Sequence, residues 1–284
     1  MKKIILCEGC SWTAGSFIDP KLDTTGVMSS ENNEYRLQRV WPHSLGKLLD
    51  VDVLNSGIAG SSNDAIVRRT IENVFSLLEQ YKSDEICVII GWTSPERKDF
   101  YLKMDSKGDD EWVTLYPAQL YNFRGNRDVE KFFELYGMYF WNSEEYLNRF
   151  IHQNLYLHSF LENKNIKHLF YSSFYEAEQN QGIKFNVSSK LYLDGTGYEE
   201  FPGPEYRKPE KTITNFLENS DFFMDISFLK YLETKRLEDP DWVQSSVKYN
   251  VTDSMFFKDH HPTPYGHQLW AEYLSKRLDN DFNK

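Results

Sequence analysis

Two stretches of this sequence hold residue types suited to covalent chemistry. The first is Gly9-Cys10-Ser11-Trp12-Thr13-Ala14-Gly15, where a serine follows closely on the apolar run Ile4-Ile5-Leu6. A serine hydroxyl is a poor nucleophile until a base takes its proton. The second stretch is Lys258-Asp259-His260-His261-Pro262-Thr263-Pro264-Tyr265-Gly266-His267, which offers three imidazoles and a carboxylate. A base must come within about 3 Å of the hydroxyl it serves, and the negative oxygen of an acyl-transfer intermediate needs hydrogen-bond donors aimed at it. Cys10, beside the serine, is a rival nucleophile.

The two stretches carry a family resemblance. Gly9 to Gly15 resembles the Gly-Asp-Ser block that opens the SGNH (GDSL-type) hydrolases, and Asp259-His260-His261-Pro262 resembles their closing Asp-x-x-His-Pro block. The resemblance implies Ser11 as nucleophile and His261 as base, since His261 is the histidine followed by proline. His260 and His267 are its rivals, and His267 falls inside the last helix, where packing or solvent exposure is its expected lot. Asn55-Ser56-Gly57-Ile58-Ala59-Gly60 resembles the second block, which implies the backbone N–H of Gly60 as an oxyanion donor beside that of Ser11. The third block, Gly-x-Asn-Asp, is matched only at Gly91 of Gly91-Trp92-Thr93-Ser94. Thr93 stands where the asparagine would be, and Asn63 is the alternative donor.

Other positions depart from the family pattern. Cys10 replaces the first-block aspartate. The family's closing aspartate stands three residues before the histidine, and that position is Lys258. Asp259, one residue later, is the expected orienting carboxylate; Asp253, or a Ser-His dyad, are the alternatives. Trp12, Trp92 and Arg97 are expected to contact substrate, Arg97 through an anionic group; a salt bridge with Glu96 is its structural alternative. The resemblance implies an ester hydrolase without metal or cofactor. Aromatic-rich insertions and the lack of a lipid-like apolar run favour a polar substrate, such as an O-acetylated carbohydrate. A weak or inactive binding protein on the same fold is the alternative, motivated by Cys10, Thr93 and Lys258. An acyltransferase using the same serine is a further one.

These residues need a frame that brings the ends of the chain together. Apolar runs over Lys3 to Leu6, Val51 to Leu54, Ile86 to Ile90 and Lys167 to Ser172 predict strands, with a further short one over Phe222 to Ile226. Helices are expected over Trp41 to Leu49, Asn63 to Tyr81, about Glu144 to Asn163 and Phe228 to Arg236, with a last one from Pro264. Ser62, Ser143 and Thr263 suit N-caps, and Pro264 suits the first helical position. In the second helix Val67, Ile71, Val74, Leu78 and Tyr81 form the expected inward stripe, with Arg68, Arg69 and Glu72 pointing elsewhere. Strands alternating with helices imply a three-layer α/β/α sandwich on a central parallel sheet of about five strands, flavodoxin-like in order. Residues 1–284 read as one domain with irregular insertions at about 98–141 and 175–220.

Bulk properties exclude some classes. The formal net charge is −11, which argues against a nucleic-acid backbone or an anionic membrane as partner. Aromatic residues make up 16% of the chain, and packing is the commoner use of such side chains. Cys7, Cys10 and Cys87 are odd in number and lack zinc-ligand spacing, so reduced thiols are expected. The first apolar run is too short for a signal peptide and no run spans a bilayer, so a cytoplasmic protein is expected. Oligomeric state is left open.

Overall fold

Alternation of side chains along a few buried strands lays out the structure. A computed structural model describes residues 3–16, 18, 30–103, 110–115, 128, 131–132, 135–136, 139–140, 143–174, 176–178, 182–184, 220–238, 255–256 and 261–282. The strands are β1 (Ile4–Gly9), β2 (Asp52–Asn55), β3 (Ile86–Trp92), β4 (Lys98–Lys103), β5 (Asp110–Leu115), β6 (Lys167–Ser172), β7 (Glu176–Glu178) and β8 (Gly182–Lys184). The helices are α1 (Ser11–Ala14), α2 (Ser30–Leu37), α3 (Trp41–Leu49), α4 (Asn63–Leu78), α5 (Ser143–Asn163), α6 (Phe228–Glu238) and α7 (Pro264–Phe282).

The central sheet has the order β2-β1-β3-β6 and is parallel throughout. Where five strands were expected, four are formed among the described residues. The fifth place holds a single parallel bridge between Phe223 and Phe170, closed by Phe170 N–H to Phe222 O at 2.6 Å and Met224 N–H to Phe170 O at 2.8 Å. One sheet face carries Leu6, Val88, Ile90 and Phe170 and packs under α4 and α5; the other carries Ile5, Cys7, Ile89 and Tyr171 and packs under α3, α6 and α7. Burial on both faces explains why these strands read as continuous apolar runs. A fully buried Leu45 or Phe228 contributes about 1.5–3 kcal/mol. The three layers match the expected fold class.

β1 runs to Gly9, past the Leu6 expected as its end. Glu8 lies on the α4 side and is fully buried, which a carboxylate tolerates only when paired. Its partner is Arg69, at 2.9 Å, with Asn73 donating to it at 3.2 Å and also to Ser56 Oγ at 3.1 Å. Arg69 therefore does not point away from the sheet as the periodicity suggested. Burial raises the Glu8 carboxyl to about 7, against the opposing pull of Arg69. The buried stripe of α4 is Ile66, Thr70, Val74 and Leu77, with Val67, Ile71, Leu78 and Tyr81 at its margins. Thr70 can join that stripe because its hydroxyl donates to Ile66 O at 2.7 Å.

β4 and β5 form an antiparallel hairpin docked on α4. Arg68 of α4 pairs with Asp99 at 2.6 Å and its guanidinium lies 3.7 Å from the centroid of the Trp112 ring. Asp64 accepts from the Asp99 N–H at 3.2 Å. β7 and β8 pair antiparallel; most of residues 175–220, expected as an insertion, lie outside the described residues. No helix among the described residues is long and apolar enough to cross a membrane.

Candidate active site

Ser11 leaves the carboxyl end of β1 on a single helical turn. Cys10, extended at φ −93° and ψ −156°, precedes α1, and Gly15 closes it in the left-handed region at φ 77° with its N–H on Ser11 O at 2.8 Å. Ser11 holds the first helical position, where its N–H has no acceptor within the helix. The residue is 8% exposed.

The turn after β2 is laced onto this one. Asn55 Nδ2 donates to Thr13 O at 3.0 Å, and Asn55 Oδ1 accepts from Gly57 N–H at 3.1 Å. Ile58 N–H reaches Gly9 O at 3.1 Å. Gly57 sits so close to α1 that a Cβ there would stand 2.7 Å from Ala14 N. Gly60 has φ 76°, and a Cβ on it would meet nothing within 4 Å, so its glycine is required by backbone conformation and not by crowding. The Ser11 and Gly60 turns are thus held side by side. Ser62 caps α4 as expected, accepting from Ala65 N–H at 3.0 Å.

Asn63 and Thr93 are bonded to each other. Thr93 N–H donates to Asn63 Oδ1 at 2.9 Å, and Asn63 Nδ2 donates to Thr93 O at 3.2 Å. Asn63 is 1% exposed, so its amide ties the start of α4 to the end of β3. The Thr93 hydroxyl is buried and makes no hydrogen bond among the described residues. Asn63→Ala would strip both bonds and orphan a buried N–H. We expect a loss of about 2–4 kcal/mol in urea unfolding.

The carboxyl-terminal stretch is described from His261 onward; Asp253, Lys258, Asp259 and His260 lie outside the described residues. Pro262 bridges to Phe256, and Thr263 N–H donates to Met255 O at 2.9 Å. Thr263 Oγ1 accepts from Gly266 N–H at 3.2 Å, capping α7 with Pro264 next in line, as the sequence implies. Trp12 lies 6.0 Å from Phe256 and 5.2 Å from Phe228, ring to ring. Phe228 in turn stacks on Trp270 at 4.7 Å. The turn bearing Ser11 and the segment bearing half-buried His261 therefore share one aromatic cluster.

His267 is fully buried in that region. Its Nδ1 accepts the Trp41 N–H at 3.2 Å and so completes the amino end of α3. Burial, reinforced by His261, lowers its pKa to about 3. It packs, as expected, and does not face solvent.

Two expected substrate contacts sit in the core instead. Trp12 is 3% exposed, edge-on to Phe174 and Phe228; Trp92 is fully buried, edge-on to Phe150 and Phe170. Arg97 is buried beside the second turn, where its Nη1 donates to Ser61 O at 3.3 Å. Ser94 Oγ donates to Glu96. Cys10 is sealed from solvent, and all three cysteines are free thiols. The buried Glu8–Arg69–Asn73 set was missed by the sequence reading. Its available signal was an acid at an inward position of a buried strand, which demands a cationic partner.

The model of DUF6071, a family of unknown function, matches residues 23–190. A comparison with curated proteins finds no match. Among solved structures, the chain is similar to a member of the lipolytic protein G-D-S-L family from Veillonella parvula DSM 2008, at 11% identity over 99% of each chain and a TM-score of 0.42. It is also similar to an acetylxylan esterase from Geobacillus stearothermophilus, at 14% identity over 97% of this chain and 94% of that one, with a TM-score of 0.41. A third is an alpha/beta hydrolase from the metagenome of Lake Arreo, at 13% identity over 98% and 95% of the two chains, with a TM-score of 0.42. Similarity of this extent says nothing of activity. The family match spans more than half of the sequence, and the chain belongs to DUF6071, a family of unknown function.

Proposed function

We propose that the protein is a divergent SGNH-type serine hydrolase acting on a polar ester such as an O-acetylated carbohydrate. The observation that carries the reading is the pairing of the Ser11 turn with the Gly57–Gly60 turn at the carboxyl edge of a parallel sheet. Ligands of open α/β sheets bind at such an edge. Ser11 Oγ attacks the ester carbonyl while His261 takes its proton. The N–H groups of Ser11 and Gly60 hold the oxyanion, and His261 then returns the proton to the leaving alcohol. Water, activated by the same imidazole, releases the acid. Asp259 is assigned to orient the imidazole. The Trp12 and Trp92 rings are not assigned as substrate contacts, because both are buried against other rings. Arg97 keeps a role at the rim through its hold on Ser61, beside Gly60.

A fluorophosphonate probe tests the assignment. A stoichiometric mass gain on the peptide containing Ser11 is expected, blocked by Ser11→Ala. Absence of labelling together with no hydrolysis of p-nitrophenyl acetate would overturn it. That outcome would favour a binding protein on the same fold, a reading supported by the sealed hydroxyl of Thr93 and the committed amide of Asn63. Transfer of the acyl group to an added alcohol in preference to water would instead mark an acyltransferase using the same serine.

A further inference from the structure

A second cluster of reactive side chains lies away from Ser11, toward the amino end of β6. His158 and Glu162 stand four residues apart on α5, so they project from one helical face. His168, the second residue of β6, points at the same face of the sheet. One ligand atom from each of the three lies within 4.8 Å of the others. His158 is half-buried and Glu162 is exposed, so the cluster opens to solvent on one side.

Hydrogen bonding fixes the chemistry of the ring that faces the cluster. His168 Nδ1 lies 2.9 Å from Ile166 O. A carbonyl oxygen only accepts, so Nδ1 carries the proton and donates. In the neutral ring Nε2 then holds a lone pair, and that nitrogen stands 2.8 Å from His158 Nδ1. A backbone carbonyl that takes the far N–H of an imidazole is the usual outer partner of a metal-bound histidine. The His158 ring is held in place as well, stacked on Phe222 with centroids 3.8 Å apart.

We propose that His158, Glu162 and His168 bind a divalent transition-metal ion of the zinc class. Two neutral imidazoles and one carboxylate suit a borderline cation better than magnesium or calcium, which prefer oxygen. Two nitrogens bound to one tetrahedral ion at about 2.0–2.1 Å stand about 3.4 Å apart. The pair needs to open by about 0.6 Å to admit it. Three protein ligands leave the fourth position to water on the open side. The family resemblance implies no metal, and the cysteines lack zinc-ligand spacing, so this cluster goes beyond both. The site is independent of the hydrolase assignment, since none of its residues is near the Ser11 turn in sequence or on its edge of the sheet.

Competition with a chromophoric chelator tests the proposal on the full chain. One equivalent of zinc per chain is expected for the wild type. His158→Ala and His168→Ala should each weaken binding by at least about 100-fold, more than the 10- to 100-fold typical of losing an outer partner. His261→Ala should leave the stoichiometry unchanged. If the alanine variants fold poorly by circular dichroism, the exposed Glu162 decides: Glu162→Gln should weaken binding by about 10-fold or more and Glu162→His should retain it. The chain with cobalt in place of zinc should show visible d–d bands without thiolate charge transfer. No zinc uptake by the wild type, or equal uptake by the wild type and the site variants, would overturn the proposal and leave a hydrogen-bonded histidine pair.

Discussion

Ser11→Ala should lower kcat for p-nitrophenyl acetate by about 10⁴- to 10⁶-fold, with little change in KM, as loss of a nucleophile does elsewhere. The reason is chemical: alanine removes the oxygen that attacks and leaves the turn that carries it. α1 is closed by Gly15 and Ser16 N–H groups on the Ser11 carbonyl, which alanine retains. Stability should therefore change by under about 1 kcal/mol. His261→Ala should produce a loss of the same order, and the double variant should be no worse than either single one, because hydroxyl and imidazole act as a unit. Steady-state kinetics on the three proteins checks this. Equal rates in wild type and Ser11→Ala would remove Ser11 as nucleophile, whatever His261 does.

Acid should bring the second large effect, through His267. Its pKa falls from 6.5 unfolded to about 3 folded, because burial beside His261 disfavours the cation. Between those values the unfolded chain binds a proton that the folded one does not, so stability falls as pH falls. The slope is about 1.4 kcal/mol per pH unit, and the whole window is worth about 4–5 kcal/mol. Glu8 works in the opposite sense. Burial raises its pKa from 4.5 to about 7, so its contribution is fully present below pH 4.5 and is lost as pH rises toward 7. From pH 6.5 to 4.5 the two slopes oppose each other and nearly cancel; below 4.5 that of His267 is left alone. His267→Gln keeps an acceptor for the Trp41 N–H and removes the titration. The difference between wild type and His267→Gln in urea unfolding should be flat above pH 6.5 and move in favour of His267→Gln below it. A difference independent of pH would show that the buried imidazole protonates in place. Glu8→Gln should unmask the full acid slope from pH 6.5 downward.

The parts of this molecule most legible in the sequence are those set by local pattern. Apolar runs gave the four central strands, and Ser62 and Thr263 cap their helices where short-range chemistry says they should. What escaped depends on partners far along the chain. Glu8 looked like the end of a strand because Arg69, which lets it be buried, is 61 residues away. Thr70 is a nearer case, since its hydroxyl donates to Ile66 O one turn back and so lets it join the buried α4 stripe. Trp12 and Trp92 stood next to chemically suggestive residues, but proximity in sequence says nothing about which side of a turn a ring takes. The expected strand at Phe222 reduces to one bridge at Phe223. For the candidate site, the motif residues Ser11, Gly57 and Gly60 could be read directly. The commitment of Asn63 to Thr93 could not, since it needs the ends of two elements to be adjacent.

The acceptor that His267 gives to the start of α3 joins parts of the chain 226 residues apart. While the polypeptide is being made, the sheet surface of Ile5, Cys7 and Ile89 stays only partly roofed until α7 has cleared the ribosome. Until then the nascent chain carries a sticky apolar flank. A holding chaperone would find its footing there, and removal of α7 would recreate that vulnerable nascent form.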